Sequence, residues 1–253
     1  MDLGLKNKVA IVTGAGSQVG FGKAIALALA KEGCAVVAAD VDLKGAEQTA
    51  AEIVGLGQRA LAVKCDVTRV SEVTSMTKTA LEKYDHIDIL VNNAGAIFSL
   101  KNFADKPEVD WDKEIDLNLK GVLNCTKAVI GQMIARKSGK IVSISSIGAR
   151  KGMAHATVYG ACKAGIVGFT QGLAVEVAPS GINVNAIAPG LGLTNFSGGP
   201  PPPNMVEGAK ARIPIRRTTL PEDIANVVCF LVSDVSKDIV GQNISVDGGE
   251  SII

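Results

Sequence analysis

The sequence predicts an α/β fold, in which one doubly wound parallel sheet of about seven strands carries helices on both faces within a single domain. Three observations predict it. Short apolar runs of strand length alternate with longer helix-like stretches from one end of the chain to the other. The runs are apolar at successive positions, as strands covered on both faces require. A length of 253 residues with 47% hydrophobic content is enough to bury one sizeable core.

Val9 to Thr13 opens the series, rich in the β-branched side chains that suit extended backbone. A glycine-rich turn follows it, and a helix is expected over about Lys23 to Glu32. The same unit recurs as Ala35 to Ala39 with Lys44 to Val54, and as Ala60 to Cys65 with Val70 to Lys83. Ile87 to Val91 then precedes one long expected helix, Trp111 to Ala135. Lys140 to Ser145 leads to Val158 to Ala178, Ile182 to Ile187 leads to Pro221 to Val232, and Asn243 to Val246 closes the sheet. Strand and helix in strict alternation imply parallel strands joined by crossover helices. There is no internal repeat. Gly198 and Gly199 followed by Pro200 to Pro203 are too short for an interdomain linker and read as a loop.

Composition narrows the function classes. With 26 basic against 25 acidic residues the formal charge is +1, which gives no field to draw nucleic acid or an anionic membrane, so neither partner is expected. Met1 to Lys8 places charges beside a short apolar run that stops at Thr13 and Gly14, unlike a signal peptide or a membrane span, and a cytoplasmic location is expected. Five scattered cysteines, Cys34, Cys65, Cys125, Cys162 and Cys229, contain no C-x-x-C pair; free thiols and no metal site are the expectation.

Two stretches carry chemistry. The first strand runs into Thr13 to Gly22, where Gly14, Gly16, Gly20 and Gly22 allow a tight turn and the close approach of a pyrophosphate to a helix start. Asp40 ends the next strand 18 positions after Gly22 (40 − 22), close to the spacing expected of a carboxylate that takes the ribose hydroxyls of a dinucleotide. The second stretch is Tyr159 to Lys163. On a helix these residues are i and i+4, so phenol and ammonium leave one face a turn apart. A phenol titrates near ~10, and an ammonium a few Å away favours the phenolate, so the pair is expected to lower the tyrosine pKa and move a proton at an alcohol oxygen.

With Gly20-Phe21-Gly22, Asn92 to Gly95, Asn118, Ser146, Tyr159 with Lys163, Pro189-Gly190 and Val246 to Gly249 all in this order, the chain resembles the short-chain dehydrogenases/reductases over nearly its whole length. The resemblance implies a Rossmann-like fold and a catalytic tetrad of Asn118, Ser146, Tyr159 and Lys163. Ser146 is chosen over Ser145 because the family's serine stands thirteen residues before its tyrosine (159 − 13 = 146). Tyr159 is then the base in alcohol oxidation and the acid in ketone reduction, Ser146 binds the substrate oxygen, Lys163 holds the nicotinamide ribose and Asn118 positions a water. The resemblance implies cofactor contacts from Gly14, Gly20, Gly22, Asp40, Asp66, Val67, Asn93, Gly95, Tyr159, Lys163, Pro189, Gly190 and Thr194. It also implies a homo-oligomer, most often a tetramer, packed through the Trp111 and Tyr159 helices. The glycine turn departs from the family by two additional residues before Gly20, which leaves open which of Gly16, Ser17 and Gln18 touch phosphate.

Asp40, and the lack of Arg or Lys between Thr13 and Gly22, lead us to expect NAD(H) over NADP(H), with Lys44 the only nearby base. Leu191 to Arg212, apolar at first and charged only late, is expected to act as a substrate flap, rather than a strand or a fully helical lid, over a neutral secondary alcohol or ketone. Two other functions stay open at this level: reduction of a 3-oxoacyl thioester on a carrier protein, which Arg150, Lys151, Arg216 and Arg217 would suit, and a catalytically silent dinucleotide-binding regulator. His155 has no second histidine near it in sequence and reads as a polar wall; Trp111, Ile115, Leu119, Val122 and Leu123 read as a packing stripe.

Overall fold

Apolar β-branched segments and the helices between them fold as the alternation predicts. The computed structural model of the chain describes residues 2–196 and 199–252. Its strands are β1 (Val9–Thr13), β2 (Ala35–Asp40), β3 (Ala60–Lys64), β4 (Ile89–Asn92), β5 (Gly139–Ile144), β6 (Ile182–Pro189) and β7 (Asn243–Val246). Its helices are α1 (Phe21–Lys31), α2 (Leu43–Gly55), α3 (Val70–Tyr84), α4 (Glu108–Ile115), α5 (Gly121–Arg136), α6 (Thr157–Val177), α7 (Pro203–Arg212) and α8 (Pro221–Leu231). Gly198, assigned from sequence to the hinge of the substrate loop, lies outside the described residues.

The strands pair in the order β3-β2-β1-β4-β5-β6-β7, parallel throughout. The chain winds outward from β1 through β2 to β3, then returns to the other side of β1 as β4. Between β1 and β4 the winding reverses, which opens a crevice at the carboxyl ends of those two strands. Both faces are covered. Ile25, Leu29, Ile224 and Val228 pack on one side of the sheet, and Met76, Val129, Met133 and Val184 on the other. Each such side chain contributes about 1.5–3 kcal/mol by leaving water. Only the edge strands β3 and β7 are partly exposed along their length. Among the described residues no helix is long and apolar enough to cross a membrane, and the five cysteines are buried free thiols.

Two segments differ from their sequence reading. The expected helix over Trp111 to Ala135 begins earlier, at Glu108, and is interrupted by a wide π-helical turn at Asp116–Lys120 that separates α4 from α5. An apolar stripe does not register one additional residue in a turn, so the break is invisible to periodicity. The proline run behind the glycines does not stay extended to its end: Pro203 opens α7, since a missing N–H costs nothing at a helix start.

Candidate active site

The ends of β1 and β4 are stitched together by side chains. Thr13 Oγ1 donates to the carbonyl of Val91 (3.3 Å) and accepts from the amides of Asn93 (3.0 Å) and Ala94 (3.1 Å). Asn93 Nδ2 donates back to the carbonyls of Thr13 (2.8 Å) and Gly14 (3.1 Å). Gly14 takes φ +68°, a region costly for other residues, and any Cβ on Gly22 would run into the Gly14 carbonyl. The chain thus turns sharply into α1, whose start has no side-chain cap and no acidic residue in its first turn. Its amides are left for an anion. Within the lengthened turn Gln18 Nε2 donates to the carbonyls of Gly16 (2.8 Å) and Gly45 (3.1 Å), and Lys23 Nζ bridges Gln18 (2.7 Å) to Glu52 (2.7 Å). No motif signals that fastening to α2.

Asp40, at the end of β2, accepts from the amides of Gly16 (2.7 Å) and Asp42 (2.9 Å), which fixes its carboxylate beside the glycine turn. Asp66 and Val67 follow β3 at the same edge of the sheet. Partial burial pushes the Asp66 carboxyl up, but hydrogen bonds from Thr68 and Arg69 outweigh it and hold the group below its ordinary value. Val67 is buried against Gly121 and its carbonyl accepts from Asn124 Nδ2 (2.9 Å). Pro189 ends β6, the Gly190 amide donates to the Val246 carbonyl (3.1 Å), and Thr194 is buried close to Gly192.

The four tetrad positions come together from three places, the wide turn, the turn after β5 and α6, and are nearly sealed from solvent: Asn118 is 0%, Lys163 2%, Tyr159 6% and Ser146 8% exposed. Ser146 begins the turn after β5, where its Oγ accepts from the Gly148 amide (3.0 Å) and reaches Tyr159. Ser145 is directed elsewhere, onto the Lys163 carbonyl (3.3 Å). Lys163 Nζ donates to the Ile144 carbonyl (2.8 Å) and lies 5.5 Å from the centre of the Tyr159 ring. Asn118, held in the wide turn, clasps Ala96 from both ends: Nδ2 donates to its carbonyl (2.8 Å) and Oδ1 accepts from its amide (3.2 Å). Gly95 is where these groups meet, since a Cβ there would stand 2.8 Å from Asn118 Oδ1 and 3.3 Å from Lys163 Nζ.

One expectation is reversed. Burial pushes the Tyr159 phenol up, against the opposing Ser146 hydrogen bond, rather than the neighbouring ammonium drawing it down. The reason is that the same burial drives Lys163 itself down from 10.5 to about 8, so that the two groups share one low-dielectric site in which both charges are disfavoured. Phe196 completes that site, its ring edge-on to Tyr159 at 5.7 Å between centroids.

Three of the four basic residues that would suit a carrier-bound thioester make bonds within the fold. Arg150 donates to the Asn243 carbonyl (2.6 Å), Lys151 pairs with Glu250 (3.3 Å), and Arg217 pairs with Asp223 (2.5 Å). Arg216 and His155 are exposed. A dinucleotide fits what is present: open amides at the start of α1, a carboxylate fixed beside them, and a Lys163 ammonium that spends one of its three hydrogens on Ile144 and has Gly95 next to it.

A family model described as enoyl-(acyl carrier protein) reductase matches residues 14–251. The 3-oxoacyl-[acyl-carrier-protein] reductase of Synechocystis sp. is 41% identical over 252 residues, covering 97% of each chain. Among solved structures, 7α-hydroxysteroid dehydrogenase complexed with NADH and 7-oxo glycochenodeoxycholic acid superposes with a TM-score of 0.93 at 35% identity, over 98% of this chain and 96% of that one. Actinorhodin polyketide ketoreductase with NADPH gives 0.92 at 34% identity over 98% of both.

Proposed function

The chain belongs to the short-chain dehydrogenase/reductase family of oxidoreductases, which act between CH–OH and carbonyl groups with a nicotinamide dinucleotide, and on that premise we propose an NAD(H)-preferring enzyme of neutral secondary alcohols or ketones. The observation that carries the reading is that Asn118 and Lys163 meet at Gly95, just after β4, with the Tyr159 ring beside Lys163 and Ser146 beside Tyr159. When bound, the nicotinamide supplies or accepts the hydride. The protein's own work is the proton. Tyr159 gives it to, or takes it from, the substrate oxygen; burial favours the phenol, which suits the donor role in ketone reduction at neutral pH. Ser146 donates a hydrogen bond where charge develops on that oxygen. Lys163 keeps Tyr159 oriented and offers its free hydrogens to the ribose, and Asn118 holds the backbone at Ala96.

Asp40 supports the cofactor preference, since a fixed carboxylate accepts from ribose hydroxyls and repels a 2′-phosphate. The engagement of Arg150, Lys151 and Arg217 in internal bonds supports a neutral substrate. A second reading, 3-oxoacyl thioester reduction on a carrier, is favoured by the likeness to the Synechocystis reductase. We assign the catalytic chain to one domain and the enzyme to a cytoplasmic homotetramer; the exposed face of α6 supports the oligomer. Steady-state kcat/KM is expected to be higher with NADH than with NADPH, and higher for a neutral ketone than for its carboxylate analogue or a carrier-bound 3-oxoacyl group. Equal or greater efficiency with NADPH refutes the cofactor assignment, and a preference for the carrier substrate establishes the second reading.

A further inference from the structure

Behind the wide turn that carries Asn118 lies an ion pair with no side-chain exposure at either end. Lys106 Nζ donates to both Glu114 oxygens at 2.7 Å, and its remaining hydrogen goes to the Ser99 carbonyl at 3.2 Å. A buried pair of this kind adds little net stability over apolar residues of the same volume, so the question is what it holds in place. Lys106 and Ser99 belong to the segment that leaves β4; Glu114 belongs to α4. Asn118 closes the same two pieces on the side of the site, with Nδ2 on the Glu114 carbonyl (3.0 Å) and on the Ala96 carbonyl (2.8 Å). Lys163 Nζ stands just beyond, next to Gly95.

We propose that Lys106 and Glu114 are positioning residues for the proton-transfer site: their pair fixes the separation between the segment after β4 and α4, and with it the placement of Asn118 beside Lys163. The inference rests on the assignment of Asn118, Tyr159 and Lys163 as that site. Glu114 is also felt there directly, because after burial itself it is among the charges that raise the Tyr159 phenol and the Cys162 thiol. The groups that bind the dinucleotide phosphates and adenosine ribose stand on other elements, around β1 and β2, and do not touch the pair.

The test compares Glu114→Gln, which keeps the shape and removes the charge, with Lys106→Met/Glu114→Leu, which replaces the pair by apolar side chains. For each, kcat and KM with a ketone and NADH, NADH binding by its fluorescence, and the melting temperature are measured. A displaced catalytic group costs on the order of 10²-fold, so kcat should fall by about that factor in both variants while KM for NADH and NADH affinity stay close to wild type. The double variant should melt at or above the wild-type temperature. Wild-type kcat in a stable double variant shows that the pair is packing alone and overturns the proposal; loss of NADH affinity in step with kcat overturns it too. If the double variant does not fold, Glu114→Gln decides by the same criteria. Tyr159→Phe, assayed alongside, separates the two readings: if it keeps its turnover, the site assignment has failed rather than the pair.

Discussion

Lys163 is an ammonium held where water does not reach it, and its burial has a price in stability that can be read against pH. Its pKa falls from 10.5 to about 8 in the folded chain, so between those values the unfolded chain binds more protons than the folded one, and stability rises with pH across that window. Below the lower value the penalty is present in full. At 1.36 kcal/mol per unit it amounts to about 3 kcal/mol. The unfolding free energy of cofactor-free Lys163→Met should therefore exceed that of wild type at pH 7, and the difference should shrink by about 3 kcal/mol by the time pH passes 10.5. The thiols of Cys34, Cys65, Cys125 and Cys229, whose shifts do not involve Lys163, contribute alike to both chains at alkaline pH and cancel in this comparison. A pH-independent difference, measured by denaturant titration, would contradict the burial argument. Tyr159→Phe removes only the hydroxyl proposed to transfer the proton. Turnover should drop by about 10²–10⁴ while NADH affinity holds, and near wild-type turnover would assign the proton to another group.

At the scale of elements, the segment from Leu191 to Arg212 combines two parts with different physics. Leu191 to Phe196 is tied down by few backbone bonds, among them Asn195 N to the Val19 carbonyl (3.0 Å) and Thr219 N to the Leu191 carbonyl (2.9 Å). Pro203–Arg212 is a helix, α7, with Ala209 as its buried residue. Phe196 lies edge-on to the ring of Tyr159, so this segment is in direct contact with the tetrad. Amide exchange over residues 191–196 is accordingly expected to be fast in the free enzyme and to slow when ketone and NADH bind together, with α7 changing less. Protection already complete without substrate would count against a moving cover. The wide turn at Asp116–Lys120 is a second element with a local purpose: it places Asn118 under Ala96.

For the whole molecule, the telling surface is the outer face of α6. Ala161, Ala164, Gly168, Gly172 and Val175 form an exposed apolar stripe along it, with Val175 79% exposed, bordered by the exposed polar side chains of Gln171 and Glu176. A contiguous exposed apolar stripe rimmed by polar residues marks a contact surface. A Cβ added at Gly168 or Gly172 meets nothing within 4 Å, so the protomer accepts a larger residue there without repacking. Gly168→Glu should therefore leave the melting of the protomer little changed and break the proposed tetramer into smaller species, as read by sedimentation equilibrium. An unchanged assembly mass would move the interface to another face.

What the sequence determined by itself is whatever depends on local spacing. Alternating apolar runs fix a parallel sheet, because strands buried on both faces cannot read otherwise; the four-residue step from Tyr159 to Lys163 fixes their common helical face; and the glycines after Thr13 fix a turn that no side chain could follow. Ser146 over Ser145 is legible only from a resemblance in spacing; in the fold Ser146 Oγ accepts from the Gly148 amide while Ser145 Oγ donates to the Lys163 carbonyl. What only the tertiary structure decided is whatever depends on distance through space and on the exclusion of water. Spacing places an ammonium near Tyr159 and predicts a lowered pKa, but the depth at which the fold buries the pair raises the phenol instead. Residues far apart in the chain, Gln18 against Gly45 and Lys106 against Glu114, show no sign of each other in the sequence, because a hydrogen bond or ion pair depends on where the backbone brings two side chains and leaves no period behind.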